Sequence, residues 1–313
     1  MNIQQLRYLH EIVRHGLNVS EAAAALYTSQ PGVSKQVRLL EEELGITIFK
    51  RAGKRLTGLT EPGRQVLDIV ARMLDDARNL KRVGEEYADE GSGTLDVATT
   101  HTQARYPLPP VVKQFMARHP RVRLRLHQGN PEQVAAWVAD GTADIGIATE
   151  ALDRLPQLVT LPCYQWSHTV VAPRGHALLD GSPPSLAALA RWPLITYDPT
   201  FTGRTRIDRA FERVGIAPNI VLTAVDSDVI KTYVELGLGI GIIAEMAYDP
   251  ARDVALSALP TAHLFESNTT RLAIRRGAWL RRFDYDFIEL FAPRLTRQVV
   301  DMTIKGGDLD PGL

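Results

Sequence analysis

What this chain has little of bounds it before anything else. It carries a single cysteine, Cys163, so no disulfide can form within one chain. Its eight histidines form no HExxH pair and no Cys/His cluster at ligand spacing, so no built-in metal is expected. Net charge is missing as well. The 36 basic residues balance 36 acidic ones, so global charge signals neither a nucleic acid nor a membrane surface. The opening MNIQQLRYLHEIV is amphipathic and lacks the apolar core of a secretory signal. The longest near-apolar run, 236–247, is broken by glycine and too short for a bilayer. No nucleophile stands in a pattern with a base and an orienting acid. These absences lead us to expect a cytoplasmic protein with no membrane contact, and not an enzyme.

What is present centres on residues 19–44, VSEAAAALYTSQPGVSKQVRLLEEEL, which read as two short helices back to back. In the first, Ser20 is the expected cap, Glu21 suits the positive end of the helix dipole, and 22–26 is a run that lets another helix come close. Thr28 and Ser29 break the pattern, and Pro31 marks the first turn of a second helix starting near Gln30. Val33, Val37, Leu40 and Leu44 form its apolar stripe. The opposite face carries Gln30, Ser34, Lys35 and Arg38. Glutamine can bond an adenine edge, lysine or arginine a guanine edge or phosphate, and serine either base or backbone. An antiparallel helix pair with a solvated polar face has the same pattern, so the flanks matter.

Those flanks support a winged helix-turn-helix over residues 1–59. Ile3, Leu6, Leu9, Ile12 and Val13 predict a helix that completes a three-helix core. Residues 46–50 and 56–59 read as extended pieces around the turn Ala52-Gly53. Lys50, Arg51, Lys54 and Arg55 cluster there, where a wing reaches phosphates, although a solvated turn has the same composition. Thr60, ahead of Pro62, caps a long helix over 60–90. In it Val66, Val70, Met73, Ala77, Leu80, Gly84 and Tyr87 alternate at spacings of four and three. Such a heptad seam predicts a coiled coil with a second copy, although a single helix packed onto its own domain has the same pattern. Two copies would present paired recognition helices to DNA half-sites.

Beyond a polar hinge, Asp89-Glu90-Gly91-Ser92-Gly93, strands and helices alternate. Strands are expected at 94–99, 122–127, 145–149, 168–172, 194–197, 220–223, 240–244 and 269–275. Helices are expected at 108–118, 131–140, 185–190, 204–214, 228–236 and 281–291. This is an α/β region over 91–304 with mostly parallel sheets in two lobes. The last strand and helix are expected to return to the first lobe, giving lobe I as 91–163 with 268–304 and lobe II as 164–267. Residues 305–313 read as a tail.

Three polar termini converge in that scheme. Thr100, Thr102 and Gln103 follow the first strand, Thr149 ends another, and Thr202 with Gly203 precedes a helix. Hydroxyls, an amide and free N–H groups at strand-to-helix junctions suit a small anion in a cleft between lobes. Each threonine taken alone is also an ordinary helix cap. His101 reads as a rim residue. Gly237-x-Gly239-x-Gly241 lies after a helix and before a strand, the reverse of a dinucleotide loop.

The segments SEAAAALYTSQPGVSKQVRLLEEELG and IFKRAGKRLTGLTEPG, together with the long helix, resemble LysR-type transcriptional regulators. TTHTQARYPLPPVVKQF, IATEAL, LPCYQW, FTGRT and DVIKTYVELGLGIGIIA resemble the CysB branch of sulfur assimilation. The resemblance implies DNA contacts at Ser29, Gln30, Pro31, Ser34, Lys35, Arg38, Arg51, Lys54 and Arg55. It also implies a periplasmic-binding-protein-like effector domain whose ligand contacts are Thr100, Thr102, Gln103, Thr149 and Thr202. The implied effector is a sulfate-like anion or an acetylserine, bound non-covalently and with no other cofactor. Promoter DNA, further copies of the chain up to a homotetramer, and RNA polymerase during activation are the implied partners. The chain ends at Leu313, earlier than is typical of that branch.

Overall fold

The computed structural model describes the chain except for Lys54, Asp89, Glu90, Glu150, Gly181, Ser182 and residues 307–313, and except for the side chains of Ala88 and Thr202. Two compact units divide it, residues 1–84 and 85–313.

In the first unit, α1 (Ile3–Arg14) starts from a capping box between Asn2 and Gln5 and buries Leu6, Leu9 and Ile12. Ile3, expected in the same stripe, is exposed. Helix α2 (Val19–Ala25) is capped by Asn18 and not by Ser20: the Asn18 side-chain oxygen accepts the N–H groups of Ser20 and Glu21. Asn18 holds the extended backbone that a cap needs, whereas Ser20 already lies inside the helix. Helix α3 (Gln30–Leu44) is capped by Ser29 and ended by Gly45 in the left-handed conformation. Its stripe buries Val33, Val37 and Leu40, but Leu44 emerges at the terminus.

The wing is shorter than expected at its start. Ile46 still donates to the carbonyl of Glu41 at the helix end, so strand β1 (Phe49–Ala52) begins three residues later and pairs antiparallel with β2 (Arg55–Leu59). Thr60 then caps α4 (Glu61–Ala88), accepting from the Gly63 N–H at 2.9 Å while donating to Thr47. Gly63 has to be glycine, because a Cβ there would lie 2.2 Å from the Ile48 carbonyl oxygen. The expected seam divides along this helix. Val70 and the unforeseen Leu74 are buried in the core of the first unit, with Val66 packed against it, whereas Met73, Leu80 and Tyr87 stay exposed. The first turns lie over the helix-turn-helix and spend their apolar residues there.

The second unit contains two five-stranded sheets. In the first, β3 (Gly93–Thr99), β4 (Val122–Gln128) and β5 (Ile145–Ala148) run parallel, separated by α5 (His101–Arg105), α6 (Leu108–Arg118) and α7 (Pro131–Ala139). The strand β6 (Leu158–Trp166) follows on the same sheet. In the second, β8 (Leu194–Tyr197), β9 (Ile220–Ala224) and β10 (Ile240–Ala244) are parallel, while β7 (His168–Pro173) pairs antiparallel with β10 and with β11 (Leu256–Pro260). Helices α8 (Leu186–Leu189), α9 (Thr202–Arg213) and α10 (Ser227–Glu235) connect its strands. The chain then returns: β12 (Asn268–Arg275) inserts between β5 and β6, and α11 (Arg282–Phe291) and α12 (Arg297–Ile304) follow. The expected return of the last strand is therefore observed, and both sheets are mixed instead of mostly parallel.

Strands β6 and β11 escaped the sequence. Both are edge strands and both contain proline, Pro162 and Pro260, which reads against a strand but is tolerated where an N–H has no neighbour to bond. Leu95, Val97, Phe115, Ile145, Leu272 and Phe287 belong to the core of the first sheet, and Ile195, Phe211, Ile230 and Ile242 to that of the second. Arg281, buried at 4 % exposure, sits between Asp144 at 3.0 Å and Asp284 at 3.1 Å, which ties the start of α11 to the turn before β5.

Candidate functional site

The DNA-facing candidates fall on two elements of the first unit. On α3, Gln30, Pro31, Lys35 and Arg38 are exposed and Ser34 is half-buried; Gln30 donates to the Ser34 hydroxyl at 3.0 Å. Ser29 spends its hydroxyl on the Gly32 N–H at 3.3 Å, which fixes where the helix starts. On the wing Arg51 and Arg55 are exposed, while Lys54 lies outside the described residues. Arg51 is already engaged, its guanidinium donating to Glu41 at 2.9 Å. The other oxygen of Glu41 accepts from the Ile48 and Phe49 N–H groups at 2.8 and 3.1 Å. One carboxylate on the recognition helix thus anchors the wing, a role that no local pattern signals. Gln30 and Arg55 border a common groove with Asn18, Ser20 and Glu21.

The second candidate lies between the two sheets of the second unit. Thr100, Thr102, Gln103 and Thr149 line one cavity together with Trp166, Tyr197, Phe201 and Gly203, enclosing about 350 Å³ of empty space including its mouth. The first four come from the first sheet, and Tyr197, Phe201 and Gly203 from the second. Thr202 opens α9 at the same place, its side chain outside the described residues. Thr100 occupies the cap position of α5 yet makes no side-chain cap bond, so it is not merely a cap. Phe201, not Thr202, is the cap residue of α9 and makes no side-chain cap bond, so among the described side chains none caps the first-turn N–H groups beside the cavity.

Gln103 is buried and pinned. Its amide donates to the Thr270 hydroxyl at 3.1 Å, and the Tyr164 hydroxyl donates to its carbonyl. Burial pushes the Tyr164 phenol up to about 12, so it stays a donor at neutral pH. Tyr197 exchanges a hydrogen bond with Ser227 at 2.7 Å and accepts from the Ala244 N–H at 2.8 Å; burial raises its pKa too. The indole N–H of Trp166, a residue 6 % exposed, has no protein partner. Among the described residues that line the cavity, none is charged at neutral pH. The cavity is a set of neutral donors around a small volume, with aromatic walls. Sequence reasoning missed Trp166, Tyr197 and Phe201 because nothing local distinguishes them from core aromatics.

At the mouth, Arg105 and Tyr106 reach across to Asp228 at 3.1 and 2.7 Å. His101, Asp226 and Asp228 approach one another within 4.8 Å, but Asp228 also faces Lys231 at 3.4 Å, and two flanking cations disfavour a bound metal ion. The glycine-rich run 237–241 follows α10 and leads into β10, with Gly241 already in the strand, which is the helix-to-strand order that a dinucleotide loop does not have.

Comparison with known proteins matches this architecture. Residues 3–64 match the bacterial regulatory helix-turn-helix of the lysR family, and residues 88–296 match the LysR substrate binding domain. The chain is 58 % identical over 295 residues to the HTH-type transcriptional regulator SsuR of Burkholderia cenocepacia, covering 94 % of this chain and 96 % of that one. It is 52 % identical over 306 residues to CysB of the same organism, covering 98 % of each. Among solved structures, the cofactor-binding domain of the Cbl transcriptional regulator superposes with TM-score 0.67 at 46 % identity, covering 70 % of this chain and 96 % of that chain. Full-length CbnR in complex with its target DNA shares the fold at TM-score 0.56 and 21 % identity, over 95 % of this chain and all of that one. A helix-turn-helix with an exposed polar recognition face, a two-sheet ligand-binding unit and these likenesses lead to one conclusion: the chain belongs to the LysR family of bacterial transcriptional regulators, in its CysB-like branch.

Proposed function

We propose that this regulator controls genes of sulfur assimilation and cysteine biosynthesis, and that a sulfate-like anion or an acetylserine in the cavity between the sheets is its effector. The observation that carries this reading is the neutral, hydroxyl-rich lining around Thr100, Thr102 and Thr149. A small oxyanion is well served by several oriented neutral donors, whereas a cationic ligand finds no carboxylate among the described lining residues. Effector binding changes which arrangement of the lobes is favoured to the extent that it contacts the two arrangements differently. Through the recognition helix α3 and the wing the protein would read promoter DNA as a dimer or tetramer, and engage RNA polymerase when it activates. It acts in the cytoplasm as a regulator and not as an enzyme.

The deciding experiment is thermal stabilisation of the purified protein by sulfate, thiosulfate, O-acetylserine and N-acetylserine. A ligand at about a hundred times its dissociation constant adds roughly 2.7 kcal/mol to native stability. A shift with one of these supports the reading and names the effector; no shift with any assigns the cavity to another small anion and the regulator to another pathway. A solute-binding protein without operator specificity is the second reading. It requires equal binding to all DNA sequences with a steep salt dependence.

A further inference from the structure

Both crossings between the sheets of the second unit place a buried polar side chain beside the effector cavity, and among the described residues neither side chain finds a protein partner. The first crossing runs from Trp166, the last residue of β6, to His168, the first of β7. The second ends at Asn268, the first residue of β12, which the antiparallel ladder sets directly opposite Trp166. His168 is 1 % exposed and Asn268 is 0 % exposed. Both ring nitrogens of His168, both amide atoms of Asn268 and the indole nitrogen of Trp166 are buried without a protein hydrogen-bond partner. Buried polar groups are paired in native structures, with ordered water or ligand where protein groups do not serve, so a cluster of five orphan atoms marks a place where something else binds.

The surroundings say what fits. The imidazole of His168 stands edge-on to Trp166 at 5.2 Å and to Phe265 at 5.5 Å, in an apolar frame. Burial first, and then the neighbouring Arg206, hold it neutral, so it offers one donor and one acceptor. Asn268 offers both, and Trp166 a donor. The neighbouring Arg206 repels an ammonium and is already engaged by the Ser267 carbonyl and by Glu266, so a carboxylate would lose its solvation for little gain, whereas a neutral group that donates and accepts satisfies the set. These side chains lie at the effector cavity's wall, which includes both Trp166 and Gly203. A Cβ on Gly203 would come within 2.7 Å of the His168 Nε2 atom, so only glycine lets the imidazole approach that wall.

From this geometry we infer that Trp166, His168 and Asn268 form an interior subsite of the effector cavity that takes a neutral hydrogen-bonding group, either an ordered water or the hydroxyl or amide end of an organic effector. The effector source rests on the function proposed above; the water source does not. In either case the occupant bridges the two crossings on which any movement of one lobe against the other has to turn.

Crystal structures of the full chain alone, with inorganic sulfate and with N-acetylserine, at a resolution that shows ordered solvent, test this. Density within hydrogen-bonding distance of both His168 and Asn268 in all three supports the inference with water as occupant. Density there that belongs to N-acetylserine, and is missing with sulfate, supports it with the effector as occupant. No such density in any of the three overturns it. If neither probe appears at Thr100 while density bridges His168 and Asn268, the effector reading fails and the subsite stands. Calorimetry on Asn268→Leu gives an independent check: an occupied subsite predicts at least a tenfold loss of N-acetylserine affinity or a lowered Tm, whereas a raised Tm with unchanged affinities for both probes overturns the proposal.

Discussion

Thr100 carries the sharpest single-residue expectation. Thr100 lines the cavity and makes no side-chain cap bond, so Thr100→Ala removes a donor to the proposed anion without removing a helix cap. A hydrogen bond to a charged partner contributes about 1.5–3 kcal/mol, so effector affinity should fall roughly tenfold to a hundredfold with little change in Tm, measured by calorimetric titration. Gln103→Ala should do more harm to the fold, because that side chain also holds Thr270 and Tyr164. His168 carries a pH expectation. Above pH about 6.5 its ring is neutral in both folded and unfolded chains and adds no pH dependence. Below that, the unfolded chain takes up a proton that the folded ring, pushed down to about 3 by burial and then by Arg206, does not. The folded state therefore loses up to about 1.4 kcal/mol per pH unit as pH falls from about 6.5 toward 3. Urea midpoints at pH 7 and pH 5 should separate for the native chain, and the gap should shrink in His168→Phe.

At the scale of elements, the recognition helix and the wing act as one piece because of Glu41. Its carboxylate holds two wing N–H groups and Arg51. Glu41→Ala should cost about 2–3 kcal/mol in urea unfolding, since two half-buried N–H groups lose a charged acceptor, and should weaken operator binding without touching effector affinity. Lys35→Ala, on the exposed face of α3, should instead leave stability within about 0.5 kcal/mol and lower the salt slope of operator binding by about one, read from affinities between low and moderate salt. Elements were legible in the sequence where their cause was local. The termini of α3 follow from Ser29, Pro31 and Gly45, and α6, β8 and β10 follow from periodicity alone. Cap identity was not legible at α2, where Asn18 and Ser20 are both good caps and only the backbone at Asn18 decides.

For the whole molecule the long helix is decisive. Leu80 is 74 % exposed and Tyr87 81 % exposed on α4, with Met73 on the same heptad pattern. Apolar side chains repeating at that spacing on an uncovered helix fit a second copy of the chain. Leu80→Asp should leave monomer stability nearly unchanged and shift the sedimentation profile toward monomer, with a matching loss of binding to DNA carrying two half-sites. A native oligomeric profile in that variant would place the interface elsewhere.

By itself the sequence determined the helix-turn-helix, the wing, the long helix, the alternation of strands and helices apart from the edge strands β6 and β11, and the polar termini at Thr100, Thr149 and Thr202. All of these rest on periodicity, caps and turn residues within a few positions of one another. Only the tertiary structure decided how those termini become a cavity. Gln103 takes its orientation from Thr270, 167 residues away, and from Tyr164, 61 residues away. Trp166 becomes a wall of the site because an edge strand with a proline at Pro162 pairs with the returning β12. The apolar stripe of α4 divides between the unit's own core and solvent according to what packs over it. Pairing across sheets and burial bring together residues distant in the chain, and no local pattern encodes that distance.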